Sequence, residues 1–147
     1  MIEANLWNWL KKAEGHLDPG LLHMTRIENS ASAGFSDVEG YLYGRGAFWF
    51  ELKIFEYPKK ASTPITFHNM RPAQSNWLKA RWNAGGPAFI LASTDDTRYL
   101  IPGHYGRELK QGVSQFDFEH NMSIHQYSRR NTQLDIIYDA LAWRAIR

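Results

Sequence analysis

A predicted β-hairpin is the feature that most limits how this chain can fold. Residues 38–43 and 47–55 both alternate in the manner of β-strands, and the Gly-Arg-Gly segment at 44–46 is typical of a tight turn. Successive side chains of a strand point to opposite faces, so a hairpin determines which residues share a face. The sequence therefore predicts two antiparallel strands with one face buried in the core.

The second strand of this hairpin combines an apolar face with a partly charged one. The apolar face consists of large side chains only: Phe48, Phe50, Leu52 and Ile54. The opposite face carries Glu51 and Lys53, two residues apart and at a similar height above the sheet. A charged pair inside an apolar strand is costly unless it is paired or functional. The pair therefore predicts either an ion pair on a solvated sheet face or a chemical site.

Asp37 lies where a loop enters the first strand, and in a hairpin it would converge with Glu51 on one face. Two carboxylates at that spacing form a hard-oxygen site suited to Mg²⁺ or Mn²⁺. Lys53 beside them could orient or deprotonate a water, or stabilise charge on a phosphate. Two alternatives stay open: Asp37 could be an ordinary turn residue, and Glu39 on the same face could compete as the ligand.

The remaining elements surround this hairpin with helices and further strands. Helical spacing and helix-start or helix-stop residues predict helices over 2–17, 71–83, 104–111 and 131–146. Further strands are predicted over 21–27, 88–92 and 98–101, whereas 112–130 shows no clear periodicity. This order indicates a mixed sheet flanked by helices, which is α/β or α+β, in a single domain of 147 residues.

Composition excludes several classes of protein. The 44% of hydrophobic residues supply a core, and no apolar run approaches the roughly 18–20 residues that span a bilayer. The absence of cysteine excludes disulfides, thiolate zinc sites and cysteine nucleophiles. The mixed charges at the N-terminus do not match a signal peptide, so we expect a cytoplasmic protein. The net charge of +2 is compatible with a nucleic-acid partner without requiring one.

The segment GFSDVEGYLYGRGAFWFELK at 34–53, followed by Arg-Pro-Ala-Gln at 71–74, resembles the PD-(D/E)XK nuclease superfamily. The nearest likeness is to small VRR-NUC and Holliday-junction-resolvase-like proteins, many of them encoded by phages. Their pattern is a strand, a Gly-x-Pro-Asp turn, a hairpin to Glu-x-Lys, and a helix that starts near a Gln. The resemblance covers about residues 22–103. It departs at Ser36, which stands in place of a Pro that would only stiffen the turn.

The resemblance implies a role for each matching residue. Asp37 and Glu51 would hold Mg²⁺ or Mn²⁺, and Lys53 would position the attacking water. Gln74 would support the site or touch phosphate. Glu28 resembles an upstream acidic residue that can complete the metal shell.

The same resemblance implies a restriction-endonuclease-like α/β fold, with a core at about 22–111 and a C-terminal extension at 112–147. The implied activity is metal-assisted hydrolysis of DNA phosphodiester bonds. Structure-selective cleavage of branched DNA such as Holliday junctions is the first expectation for the substrate. A phage origin would place the protein in the cytoplasm of the host cell.

Basic residues surround the predicted site in the sequence: Arg71, Lys59, Lys60, Lys79 and Arg81. On a nuclease they would contact backbone phosphates, although each one taken alone could equally be a solvated surface charge. Arg71 is the strongest candidate because it precedes a helix N-terminus, where anions bind readily.

Two tryptophans also lie near the predicted site. Trp49 shares the face of Glu51 and is a candidate to line the site. Trp77 belongs to the predicted helix 71–83, and we expect it to pack in the core, with base stacking as the alternative.

The last helix has two apolar faces, formed by Leu134, Ile136, Ile137, Ala140, Leu141 and Trp143. Such a helix seeks two partners, which would be its own domain and a second copy of the chain, or its own domain alone. A homodimer would suit an enzyme that cuts two strands with two-fold symmetry. Two other functions stay open: a DNA-binding module of the same fold without activity, and a phage adaptor or inhibitor that binds a protein.

Overall fold

The computed structural model describes residues 1–27, 34–122 and 124–145. These residues form one six-stranded sheet with helices on both faces. The strands are β1 (Leu22–Arg26), β2 (Val38–Leu42), β3 (Gly46–Ile54), β4 (Ala88–Ser93), β5 (Arg98–Pro102) and β6 (His125–Tyr127). The helices are α1 (Glu3–Lys11), α2 (Pro72–Asn83), α3 (Gly106–Gln111), α4 (Gln115–His120) and α5 (Gln133–Ala145), with 3₁₀ turns at Lys12–His16 and Gly103–Tyr105.

The order of the strands in the sheet follows their order in the chain. Every neighbouring pair is antiparallel except β3 and β4, which are parallel. A parallel pair needs a crossover connection. The helix α2, which lies between β3 and β4 in the chain and packs on the sheet, provides it. The predicted mixed sheet flanked by helices is confirmed.

Two apolar layers cover the two faces of the sheet. The first layer contains Phe48, Phe50 and Leu52 of β3, which pack with residues of α1 and α5, so the predicted apolar face of the hairpin is confirmed. The second layer packs α2, α3 and α4 against the other face of β4 and β5. All six residues of β4 are buried, as expected for a strand covered on both faces.

The segment from 112 to 130 contains two elements that the sequence analysis missed. The helix α4 is capped by Ser114, whose side chain accepts a hydrogen bond from the backbone N–H of Asp117, and it buries Phe118. The strand β6 has three residues and pairs with β5. Elements this short bury about one large side chain each, so they leave no periodic signal and depend on tertiary packing.

The two apolar faces of α5 are both covered within the chain. Ile136, Ile137 and Ala140 are fully buried, and the indole of Trp143 contacts the rings of Trp82 and Phe89. This helix therefore gives no support for a second subunit. Neither α5 nor any other helix in the described ranges is long and apolar enough to cross a membrane.

Close packing of Phe48 against Gly40 holds β2 on β3. The two residues are paired in the sheet, and a Cβ placed on Gly40 would lie 2.2 Å from Cζ of the Phe48 ring. Glycine is therefore required here because the phenyl ring occupies the space of a side chain.

We expect Gly40→Ala to lower the free energy of unfolding by about 1–3 kcal/mol, because the added methyl overpacks the core. Gly15→Ala is the matched control, since a Cβ at Gly15 meets nothing within 4 Å. Urea unfolding of both variants beside the parent chain measures the difference. Equal stability of the Gly40→Ala variant and the parent would contradict this packing.

Candidate active site

The two charged residues of β3 are buried under the start of α2. Glu51 is 1% exposed and Lys53 is 3% exposed. Lys53 Nζ lies 3.6 Å from Glu51 Oε2. The alternative of an ion pair on a solvated sheet face is therefore wrong. Buried charges are retained only where other groups compensate their lost hydration.

The side-chain amide of Gln74 links these two charges. Its Nε2 donates a hydrogen bond to Glu51 Oε2 at 3.1 Å, and its Oε1 accepts one from Lys53 Nζ at 3.2 Å. Gln74 Oε1 also accepts from the backbone N–H of Arg71 at 2.9 Å, as a glutamine at the third position of a capping box does. Pro72 in the first turn sets where α2 begins, and this start brings Gln74 to the site.

Lys53 is held by a second acceptor. Its Nζ donates to the backbone carbonyl of Asn69 at 3.1 Å, in addition to Gln74. An ammonium has three N–H donors. Two of them bond to the oxygens of Asn69 and Gln74, and the third is directed toward Glu51. The position of the charge is thus set by the protein before any substrate binds.

Asp37 lies directly beside Glu51, as the predicted hairpin requires. The pair Val38 and Phe50 is in register, so Asp37 stands one step further along, opposite Glu51. Asp37 Oδ2 accepts a hydrogen bond from the backbone N–H of Leu52 at 2.8 Å, which fixes the carboxyl at the sheet surface. The competing ligand Glu39 is exposed and accepts from the indole Nε1 of Trp49 at 3.0 Å instead.

The environment of Glu51 favours its protonated form. Burial raises its pKa most, a hydrogen bond and the charge of Asp37 raise it further, and the result is about 9, although Lys53 acts in the opposite direction. Glu51 Oε1 is buried and receives no donor from the described residues. Its neighbour is another carboxyl, which can bond to it only when one of the two carries a proton.

An unsatisfied carboxylate oxygen beside a second carboxyl fits a divalent cation. Among the described residues no group of three His, Cys, Asp or Glu side chains is arranged to hold a metal. Mg²⁺ needs fewer, because it usually binds through one or two carboxylates and keeps water or phosphate oxygens as its other ligands. Asp37 and Glu51 match that requirement. Glu28, the predicted additional ligand, lies outside the described residues.

Glu3 is a candidate residue that the sequence analysis missed. It begins α1, and burial followed by the charge of Asp37 raises its pKa, while Lys53 and Arg26 lower it. Its charge in turn raises the pKa of Glu51. Glu3 therefore belongs to the same electrostatic cluster. An acidic residue in a first helical turn is usually explained by the helix dipole, so the sequence offered no specific signal.

The predicted DNA-binding residues fall into two groups. Arg71, Lys59, Lys60 and Lys79 are exposed, with Arg71 immediately before α2 at the edge of the charged cluster. Arg81 is partly buried, and its guanidinium stacks on aromatic rings. Four of the five are thus exposed, and the guanidinium of the fifth stacks on the rings of Trp49 and Trp77.

We expect the stability of the metal-free protein to fall as the pH rises toward about 9. Glu51 keeps its proton in the folded state up to about that pH, whereas an ordinary glutamate titrates near 4.5. The protonated Glu51 side chain therefore makes its full contribution to the free energy of unfolding below pH 4.5. This contribution is lost progressively as the pH rises from 4.5 to about 9. Glu51→Gln should reduce this loss, as measured by urea unfolding across the pH range in chelator.

Glu39→Gln is the matched control for that experiment, because Glu39 is an exposed carboxyl on the neighbouring strand. It should keep the pH dependence of the parent chain. Identical pH profiles for Glu51→Gln and the parent chain would show that Glu51 is not held protonated.

Comparisons with known proteins give a structural similarity only. No family model matches this chain, and no curated protein matches it. A solved structure that matches is that of Archaeoglobus fulgidus Hjc, a Holliday junction resolvase from an archaeal hyperthermophile. The two chains share 11% identity, and the match covers 74% of this chain and 94% of that chain with a TM-score of 0.42. The function of this chain has to be inferred from its own side chains.

Proposed function

We propose that this chain is a divalent-metal-dependent DNA endonuclease. The observation that carries the proposal is the buried cluster of Asp37, Glu51 and Lys53, in which Glu51 Oε1 has no donor among the described residues. Such an arrangement lowers stability in the absence of a cation, and perturbed carboxyls of this kind concentrate at functional sites. The resemblance of residues 34–53 to PD-(D/E)XK nucleases supports the same function.

Asp37 and Glu51 would hold the metal, which is Mg²⁺ or Mn²⁺ from the hardness of their oxygens. When bound, the ion would polarise a phosphate oxygen and lower the pKa of the attacking water. A bound cation would oppose the burial and the neighbouring charge of Asp37 that raise the pKa of Glu51, and would so favour the ionised form of its carboxyl. Glu3 adds negative charge to the same cluster from α1.

Lys53 would act on the water and on the phosphate. Its ammonium is fixed by Asn69 and Gln74, so it needs no rearrangement to orient a water or to stabilise negative charge that develops on the phosphate. Gln74 is a positioning residue, because its amide sets both Lys53 and Glu51. No covalent intermediate is required.

The DNA backbone would contact Arg71, which stands next to the charged cluster at the start of α2. Lys59, Lys60 and Lys79 are further exposed cations that could extend its path. The family resemblance supports branched DNA such as a Holliday junction as the substrate, a phage origin, and action in the host cytoplasm. A homodimer would suit an enzyme that cuts two strands with two-fold symmetry, with an interface other than the buried faces of α5. These finer assignments are part of the proposal.

We expect Asp37→Asn and Lys53→Ala to lower metal-dependent cleavage on the order of 100-fold or more, because each removes a charge from the reacting centre. Gln74→Ala should cost on the order of 10- to 100-fold by releasing Lys53 and Glu51. The measurement is cleavage of supercoiled plasmid and of a synthetic four-way junction with Mg²⁺, Mn²⁺ or chelator.

Glu39→Gln serves as the control in the cleavage assay, since its carboxyl bonds to Trp49 outside the cluster and should be dispensable. Intact DNA under every metal, with folded parent protein, would reject the nuclease and leave a DNA-binding module or a protein-binding adaptor. Faster cleavage of the junction than of the plasmid would support a branched substrate.

We expect Arg71→Gln to weaken DNA binding and to make it less dependent on salt. Loss of one phosphate contact should reduce the slope of log affinity against log salt by about 1. The backbone N–H of Arg71 that caps Gln74 is unchanged by the substitution. Binding is measured in chelator over a salt series, with the exposed Lys12→Gln as control. An unchanged slope would place Arg71 outside the DNA path.

A further inference from the structure

A groove of about 520 Å³ lies between the start of β3 and the last turns of α2. Two indoles, Trp49 and Trp77, stand at its sides. Apart from Arg81, its remaining surface comes from small or short residues: Ala47, Ala80, Ala84, Gly85, Gly86 and Pro87. Ala80 and Ala84 are exposed, so this face of α2 is turned toward the groove instead of the core. The result is an apolar slot in which the two indoles meet edge to face, with ring centroids 6.4 Å apart, and form one continuous aromatic wall.

Arg81 contributes a stacked cation to this slot. Its guanidinium lies 4.5 Å from the centroid of the Trp49 ring and 5.0 Å from that of Trp77. The aliphatic part of Arg81 rests against Gly86, where a Cβ would come within 2.8 Å of Arg81 Cδ. No carboxylate in the described part of the chain forms an ion pair with Arg81. Its positive charge is therefore available to an anionic ligand.

The groove and the charged cluster lie along the same face of β3. Trp49 and Glu51 are two positions apart on the same face of β3, a distance of about 6.6 Å. Gln74 lies beside Glu51 and Arg81 lies over Trp49, so α2 runs opposite to β3 and covers both places. A strand with one phosphate at the cluster would therefore bring a neighbouring nucleotide to the groove.

We propose that this groove binds an unpaired nucleobase of the DNA strand that is cut. Indole and guanidinium surfaces stack on the faces of bases and tolerate any sequence, while the arginine charge favours the nearby phosphate. Inside a duplex both faces of a base are covered by its neighbours, so only an unpaired base can enter. The substrate class is thus DNA that offers an unpaired nucleotide next to the scissile bond, as at a fork, flap or gap, or at the branch point of a junction where the adjacent base pair has opened. The link to cleavage rests on the proposed nuclease function.

The test is binding in chelator, where no cleavage occurs. A fluorescent thymidine oligonucleotide is compared with an abasic strand of the same length, which has the same phosphates and no bases. We expect the thymidine strand to bind on the order of 5- to 100-fold more tightly, the range that base stacking supplies. Trp77→Ala should remove this preference by deleting half of the aromatic wall. Ala80→Leu should remove it by filling the slot.

Ala80→Leu decides the matter if Trp77→Ala does not fold, because residue 80 is exposed and leucine is a good helix former. Phe116→Ala is the control, since Phe116 is a 65% exposed aromatic on α4 and should keep the preference. Equal binding of both strands, or an undiminished preference in Ala80→Leu, would overturn the proposal. Plasmid cleavage by the same preparations separates the two proposals. If the protein cleaves DNA but shows no preference for bases, only the proposal for the groove is rejected. If it prefers bases but does not cleave, only the proposed nuclease function is rejected.

Discussion

The hydrogen bonds of one buried amide hold the charged cluster together. Gln74 donates to Glu51 and accepts from Lys53, and its oxygen also accepts from the backbone where α2 begins. The position at which α2 begins therefore also fixes the positions of Glu51 and Lys53 in the cluster. Since α2 is the crossover between the parallel strands β3 and β4, the sheet topology also depends on where this helix lies.

The cluster is the place where this chain departs from the rules that shape the rest of its core. Elsewhere β3 buries phenylalanine and leucine in a close-packed apolar layer. Glu51 and Lys53 replace apolar groups on the other face, next to Asp37, and Glu51 Oε1 is left without a donor in the described structure. Local departures of this kind are expected at sites selected for chemistry at some cost in stability.

The two ends of α2 have different surroundings, which connects the proposed chemistry with the proposed substrate. Its first turn contacts the cluster through Gln74, and its last turns border the groove with Trp77 and Arg81. Both places face the same side of β3, which carries Trp49 and Glu51 two residues apart. One rigid helix on one rigid strand thus sets the spacing between the charged site and the aromatic slot.

The sequence by itself determined the hairpin, the faces of β3, and the meeting of Asp37 with Glu51, because alternation and turn residues act between near neighbours in the chain. It also indicated the start of α2 through Pro72, and with it the place of Gln74. Only the tertiary structure decided that Glu3 of α1 approaches the cluster, that Arg81 stacks on Trp49, and that α4 and β6 form between 112 and 130. These features depend on the packing of distant segments, such as Leu6 and Leu10 of α1 against the sheet, and periodicity within a single helix or strand does not specify that packing.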